Sequence, residues 1–307
     1  MQNQFIKSAL NYTGGKYKLL PQIIPHFPKN YERFVDLFAG GATVSTNVAC
    51  LDSEKFFLIN DIENHVIAFF KYLMETDFDT LINQIEEKIS YYGLSDSKMN
   101  GYKFYNLDST QGLGSYNKEK YKKLRNDYNL SKDNVLFYLL IVYGFNNQVR
   151  FNKQGNFNLP VGKRDFNKSM MDKLRDFHQC LKNYSFSLSS KDFRKIEIKP
   201  SDFIYADPPY RITTASYNEN GGWRTQDDLD LMAFLDKADS LGAKFALSNV
   251  LIHKGNYNEE LISWSKKYNL IELDFHYNNS NYQTRAKDNS TQEVLITNYW
   301  EGMRGIL

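Results

Sequence analysis

Two cysteines, Cys50 and Cys180, are all that 307 residues contain. A disulfide framework and a four-cysteine zinc site are therefore excluded. The five histidines, His26, His65, His178, His253 and His276, are scattered without metal-ligand spacing. No apolar stretch approaches the ~20 residues a membrane helix needs. The longest covers residues 135–143, nine in all. The N-terminus lacks the charged-then-apolar pattern of a secretory signal, and neither a repeat period nor a low-complexity tract stands out. These absences predict a cytoplasmic protein with no membrane segment and no metal. What is plentiful is aromatic: 22 Tyr, 22 Phe and 3 Trp, enough for stacking as well as packing. At roughly 150 residues per domain, the length fits one large domain or two modest ones.

Net charge is only +2, but its distribution is uneven. Residues 118–199 hold 18 Lys and Arg against 8 Asp and Glu, leaving 20 against 28 elsewhere. A basic block beside an acidic remainder outlines a nucleic-acid face. A solvated helix surface carrying Lys118, Lys120, Lys122, Lys123 and Arg125 is the plainer alternative.

Short β-branched or aromatic runs predict strands at 33–38, 56–60, 202–206, 244–248, 270–275 and 293–298. Helical spacing intervenes, with Leu229, Met232, Leu235 and Ala238 expected on one face, and Met171, Leu174, Phe177 or His178, and Leu181 on another. The alternation predicts an α/β sheet. It lapses over about 64–183, which reads as mainly helical and then breaks into a turn-rich stretch at 144–162. An α/β domain built from both chain ends, with a smaller basic insertion, is the economical picture.

Four motifs carry chemistry. Asp207-Pro208-Pro209-Tyr210 follows the strand 202–206, where open α/β folds place ligands. Two prolines lock φ and remove two N–H donors. Carbonyl oxygens, the Asp207 carboxylate and an aromatic ring remain, a set suited to a planar group bearing an NH₂, such as a nucleobase. Phe38-Ala39-Gly40-Gly41 ends the strand 33–38, and the glycine pair allows a ligand to approach or the chain to turn sharply. Asn60-Asp61 lies about twenty residues on, the offset at which an acid holds ribose hydroxyls in nucleoside-binding folds. Tyr12-Thr13-Gly14-Gly15-Lys16 lacks the phosphate-loop pattern, but as a flexible clamp with one cation it suits a carboxylate-bearing ligand. Finally, two alternating runs flank Asn152-Lys153-Gln154-Gly155, which reads as a β-hairpin. Its amides, Arg150 and the Lys163-Arg164 pair are types that read bases and hold phosphates.

With these residues the chain resembles the Dam-type DNA adenine methyltransferases, and most of all the T-even bacteriophage members. The resemblance runs through YTGGK (12–16), RFVDLFAGG (33–41), NDI (60–62), YGFNNQVR and GNFNLPVGKR (143–164), DFIYADPPY (202–210), FALSNVL (245–251), SWSKKYN (263–269) and EVLITNY (293–299). It implies transfer of a methyl group from S-adenosyl-L-methionine to N6 of a flipped adenine in double-stranded DNA, within GATC, by a monomer or weak dimer in a bacterial or phage-infected cell. It implies a Rossmann-like methyltransferase sheet from residues 1–63 and 184–307, with an inserted, mainly helical target-recognition domain at 64–183 carrying the hairpin. Asp207, Pro208 and Tyr210 would be catalytic. Tyr12, Gly14, Lys16, Phe38, Ala39, Gly40, Gly41, Asp61, Asp192, Phe193 and Asp207 would hold the cofactor. Gln148, Arg150, Asn152, Pro160, Lys163 and Arg164 would meet DNA, Gln148 standing where the phage enzymes have a hydrophobic residue. Residues 216–223 would form a loop closing over the base, or a surface loop of no consequence. The rival readings are an N4-cytosine methyltransferase, a catalytically silent DNA-binding protein of the same fold, and an RNA methyltransferase.

Overall fold

A computed structural model describes residues 5–12, 14–108, 110–213, 222–274 and 291–300. In chain order its elements are α1 (Leu20–Ile23), β1 (Arg33–Asp36), α2 (Thr43–Leu51), β2 (Phe56–Asn60), α3 (Asn64–Glu75), α4 (Phe78–Tyr92), α5 (Ser97–Asn100), α6 (Gly114–Ser131), α7 (Asn134–Val142), α8 (Lys168–Asn183), β3 (Phe186–Ser189), β4 (Asp202–Ala206), α9 (Thr225–Ser240), β5 (Lys244–His253), β6 (Asn256–Tyr257), α10 (Glu259–Ser265), β7 (Asn269–Leu273) and β8 (Thr291–Thr297). They fall into two compact units. One comprises Met1–Gly15, Gly40–Cys50 and Glu63–Tyr184, the other Lys16–Ala39, Leu51–Ile62 and Ser185–Leu307.

All the described strands lie in the second unit, in one sheet ordered β3-β2-β1-β4-β5-β8-β7, with β6 paired to β5. β3, β2, β1, β4 and β5 run parallel, while β8 is antiparallel to both β5 and β7. This is a mostly parallel Rossmann-like α/β sheet. Its centre is covered on both faces, so β4 is buried along its whole length. Alternation sends Phe34, Phe57, Phe203 and Tyr205 to one face, where Phe27 packs 4.9 Å from Phe203. Val35, Leu37, Ile204 and Ala206 point to the other, against Leu231, Leu235 and Ala238. At the start of the β1–β4 pair, Arg33 grips Asp202 bidentately, Nε to Oδ1 at 2.8 Å and Nη2 to Oδ2 at 2.6 Å.

The strands 56–60 and 202–206 occur as predicted. The run at 244–248 extends to His253, and β3 and β6 were not anticipated. β3 was missed because its sequence, FSLS, is half serine.

The helix faces need correction. Leu229 is 42% exposed, and the buried residues of α9 are Asp228, Leu231, Met232, Phe234, Leu235 and Ala238. Strict every-third spacing drifts about 60° per step on a helix of 3.6 residues per turn, so four such positions cannot share a face. In α8 the buried residues are likewise Met170, Leu174, Phe177, His178, Cys180 and Leu181, with Met171 only half-buried.

The first unit is built from helices. The longest apolar run forms α7, buried on every side, as expected of a helix apolar all round. The Asp133 carboxylate caps it, accepting from the N–H groups of Val135 and Leu136. The predicted hairpin is present as two isolated antiparallel bridges, Gly144 with Val161 and Phe151 with Phe157, not as a continuous ladder. A 3-10 turn at Phe145–Asn147, with Asn146 and Asn147 both at φ 53°, interrupts the first arm.

Candidate active site

The second unit places its chemistry at the carboxyl edge of the sheet. β1 lies between β2 and β4, the point where strand order reverses and open α/β sheets leave a crevice. Asp207 to Tyr210 leave β4 there. Asp207 Oδ1 accepts from Lys16 Nζ at 2.9 Å and from the Tyr210 hydroxyl at 2.9 Å. Both contacts fall on one oxygen. Among the described residues, Oδ2 has no hydrogen-bond partner.

Lys16 is 6% exposed. Its ammonium stands 3.5 Å from Glu293 Oε1 and 4.8 Å above the centroid of the Tyr210 ring. The cation expected to meet a ligand carboxylate is thus paired with two of the protein's own. The Tyr210 ring, expected as a face for an extruded base, carries that ammonium over it. Its hydroxyl also lies 3.1 Å from Glu293 Oε1. Burial, with Asp207 and Glu293 nearby, pushes the Tyr210 hydroxyl well above its ordinary pKa. Burial likewise raises the Glu293 carboxyl, with Lys16 pulling it back and Asp207 pushing it further.

At the neighbouring strand ends, Asn60 stitches the turn that follows β1. Its amide nitrogen donates to the Leu37 carbonyl at 3.1 Å and the Lys191 carbonyl at 3.0 Å, and its own carbonyl accepts from Ala39 N–H at 2.9 Å. Asp61 follows, buried at the end of β2, with its N–H donated to the Ser189 carbonyl. The Phe38 ring lies 5.3 Å from Phe193 and 5.5 Å from Trp223. Phe193 is buried in that cluster, and the Asp192 carboxylate is ion-paired with Arg194 at 3.0 Å. Aromatic rings and a buried acid at adjoining strand ends are the groups a nucleoside-bearing cofactor requires.

Just beyond the turn, Arg211 and Trp223 converge on Asp228. Arg211 Nε donates to Asp228 Oδ2 at 2.8 Å and Trp223 Nε1 to Oδ1 at 2.7 Å. The residues between them that were expected to close over a base, 216–221, lie outside the described residues.

The first unit holds the remaining predicted residues. The Gly15 N–H donates to the Tyr12 carbonyl, with Gly14 at φ 81° completing the turn, while Thr13 lies outside the described residues. Gly40 has φ 50°, and a Cβ there would meet the Tyr12 ring at 2.8 Å. At Gly41 it would meet Ser8 Oγ at 2.8 Å. In this unit it is Tyr12 and Ser8 that come close to the glycine pair.

Along the hairpin, Arg150, Pro160, Lys163 and Arg164 are exposed, whereas Gln148 and Asn152 are half-buried. Arg150 is steadied by Asn158, through Nε to Oδ1 at 2.9 Å and Nη2 to the carbonyl at 3.1 Å. Asn152 builds the turn, its side-chain oxygen accepting from the N–H groups of Gln154 and Asn156. α6 supports the hairpin from below. Arg125 donates to the Leu159 carbonyl, Asn129 both donates to and accepts from the Phe157 backbone, and Lys132 donates to the Gly155 carbonyl. Part of the basic block is therefore scaffold, and Lys120 and Lys123 rest on the rings of Tyr116 and Tyr91. Lys118 and Lys122 remain exposed.

Sequence reasoning missed Glu293, Asp228 and Asn129. Glu293 alone left a trace: it is the one charge in an otherwise apolar strand core, EVLI.

A mostly parallel Rossmann-like sheet with a buried acid after β2 and an acceptor-rich Pro-Pro turn at its carboxyl edge after β4 is the frame of a nucleoside-binding α/β protein. Residues 12–279 match the model of the D12 class N6 adenine-specific DNA methyltransferases, and the chain belongs to that family. Among curated relatives, it is 40% identical over 306 residues to the type II methyltransferase M.FokI of Planomicrobium okeanokoites, covering 97% of this chain and 43% of that protein. It is 37% identical over 307 residues to the modification methylase StsI of Streptococcus sanguinis, covering 96% and 43%. A DNA adenine methylase of Salmonella typhi is 27% identical over 216 residues, covering 69% and 68%. The chain thus spans less than half the length of the first two. No helix among the described residues is long and apolar enough to cross a membrane.

Proposed function

We propose that this chain is a site-specific DNA methyltransferase that moves a methyl group from S-adenosyl-L-methionine to N6 of an adenine flipped out of double-stranded DNA. GATC is the first sequence to test, on the Dam-type and T-even phage character of its motifs. It would act as a monomer or weak dimer in the bacterial or phage-infected cytoplasm. The observation that carries the reading is Asp207, whose Oδ1 is clamped by Lys16 and Tyr210 while Oδ2 has no hydrogen-bond partner among the described residues.

An adenine amino group is a poor nucleophile because its lone pair is delocalised into the ring. Asp207 Oδ2 and the Pro208 carbonyl accept its two N–H bonds. That favours a pyramidal nitrogen, localises the lone pair and stabilises the positive charge that grows on it. The bound sulfonium supplies the electrophilic methyl. The chain's task is alignment. Phe38, Ala39, Asp61, Asp192 and Phe193 would hold the cofactor in the second unit. Tyr12, Gly14, Gly40 and Gly41 carry the corresponding roles in the first. The target nitrogen is unreachable inside a duplex, so the base must leave the stack. Glu63–Tyr184 would then serve as the target-recognition part, with Arg150, Pro160, Lys163 and Arg164 as its exposed contacts, and Gln148 and Asn152 nearby.

The test uses labelled cofactor, duplex DNA and nucleoside digestion. Label should appear as N6-methyladenine, and Asp207→Ala should lose about 10²–10³ in rate with unchanged circular dichroism. Label in N4-methylcytosine, or undiminished turnover by Asp207→Ala, would sink the reading.

A further inference from the structure

The Tyr210 hydroxyl has one proton, yet its oxygen lies 2.9 Å from Asp207 Oδ1 and 3.1 Å from Glu293 Oε1. With both carboxylates ionised, that proton serves one of them and a phenol lone pair faces the other. The conflict disappears if one acid is protonated and donates to the phenol. Glu293 is the acid that burial selects: it is 4% exposed, whereas the Asp207 side chain is 18% exposed. Charge points the same way. Lys16 is a single ammonium between two carboxylates, and buried charge left over in low dielectric is costly. Among the described residues, the other titratable groups nearby are Tyr205, whose hydroxyl is paired with Ser248, and Asp36. Neither supplies the missing positive charge. The upward shift of the Glu293 carboxyl agrees.

We propose that Glu293 is a positioning residue held as a neutral acid: its O–H donates to the Tyr210 oxygen, Tyr210 donates to Asp207 Oδ1, and Oδ2 is thereby kept for the substrate amino group. Lys16 then balances Asp207 alone. The inference rests on the function proposed above, but the protonation state it assigns can be read without turnover.

Two measurements on the full chain test it. In infrared difference spectra of wild type against Glu293→Gln at neutral pH, the carbonyl stretch of a protonated carboxylic acid should appear in wild type. Only carboxylate bands there would overturn the inference, whatever the enzyme does. In single-turnover methylation of duplex DNA, Glu293→Ala should lose about tenfold, the worth of one hydrogen bond. Glu293→Gln, which keeps an N–H donor in place, should recover most of that loss. The wild-type rate should fall on the alkaline side as Glu293 ionises, and this fall should vanish in Glu293→Gln. A Gln variant as impaired as Ala, or an alkaline fall that persists in it, would also overturn the assignment. Cofactor binding by calorimetry, equal in all three proteins, shows that the site has not collapsed. An acid band together with no methyl transfer by wild type would instead count against the proposed function alone.

Discussion

Replacing Asp228 by alanine is expected to be among the most costly single changes in the second unit. The residue is 5% exposed on α9 and collects three donors: Arg211 Nε at 2.8 Å, Trp223 Nε1 at 2.7 Å and Asn258 Nδ2 at 3.1 Å. Alanine removes all three bonds at once. Arg211 keeps Glu260 Oε2 at 2.6 Å and Asn258 Oδ1 at 2.8 Å, so the guanidinium is not stranded. The Trp223 indole N–H and the fully buried Asn258 amide lose their shared acceptor. Each orphaned buried donor costs about 1–3 kcal/mol, and removing one partner of a buried ion pair about 3–5 kcal/mol. Because Arg211 retains partners, about 3–5 kcal/mol in total is expected. Urea unfolding followed by tryptophan fluorescence measures it as a fall in midpoint at unchanged slope. Leu229→Ala, one residue along but on the exposed side of α9, should stay within about 0.5 kcal/mol. A loss below about 1 kcal/mol for Asp228→Ala would refute the view that this carboxylate ties the chain after Tyr210 to α9.

Arg150→Ala should relax discrimination at one base pair by about 1–3 kcal/mol, measured on duplexes carrying single substitutions. A uniform loss across sequences would make it a phosphate contact. Affinity for DNA should also fall steeply with salt, and a flat response would argue against a basic face on DNA. Also in the first unit, Cys50 and Cys180 lie 3.3 and 3.4 Å from the same Thr46 carbonyl. A hydrogen bond from Cys180, against the opposing effect of burial and with help from Tyr184, lowers the Cys50 thiol to about 7. Alkylation of Cys50 should reach its half-maximal rate at a lower pH than an ordinary thiol, and Cys180→Ala should move that half-point upward. An unchanged half-point would mean that Cys180 does not stabilise the thiolate.

Much of the sheet was legible because its central strands are short apolar runs ended by Gly, Pro, Asn or Asp, a pattern the backbone dictates locally. Phe56–Asn60 and Asp202–Ala206 needed nothing else. The helix faces were misread where three-residue spacing stood in for 3.6, and Leu229 paid for it by facing solvent. Asp207, Pro208 and Tyr210 could be found in sequence because they are contiguous, so one turn holds the whole signal. Glu293 could not be read the same way. It belongs with Asp207 only because β8 pairs antiparallel with β5, and β5 lies beside β4. Asp228 likewise acquires its meaning from three partners, five, seventeen and thirty residues away. The amino-acid order by itself therefore determined the α/β class, the acceptor turn at the end of β4 and the acid after β2, since each depends on neighbours along the chain. That Lys16 meets both Asp207 and Glu293, that both contacts of Asp207 fall on Oδ1, and which basic residues brace the hairpin were decided by tertiary structure alone. Hydrogen bonding and Coulomb energies are set by distances of a few ångströms through space, and residues far apart in sequence reach those distances only once the sheet and helices have packed.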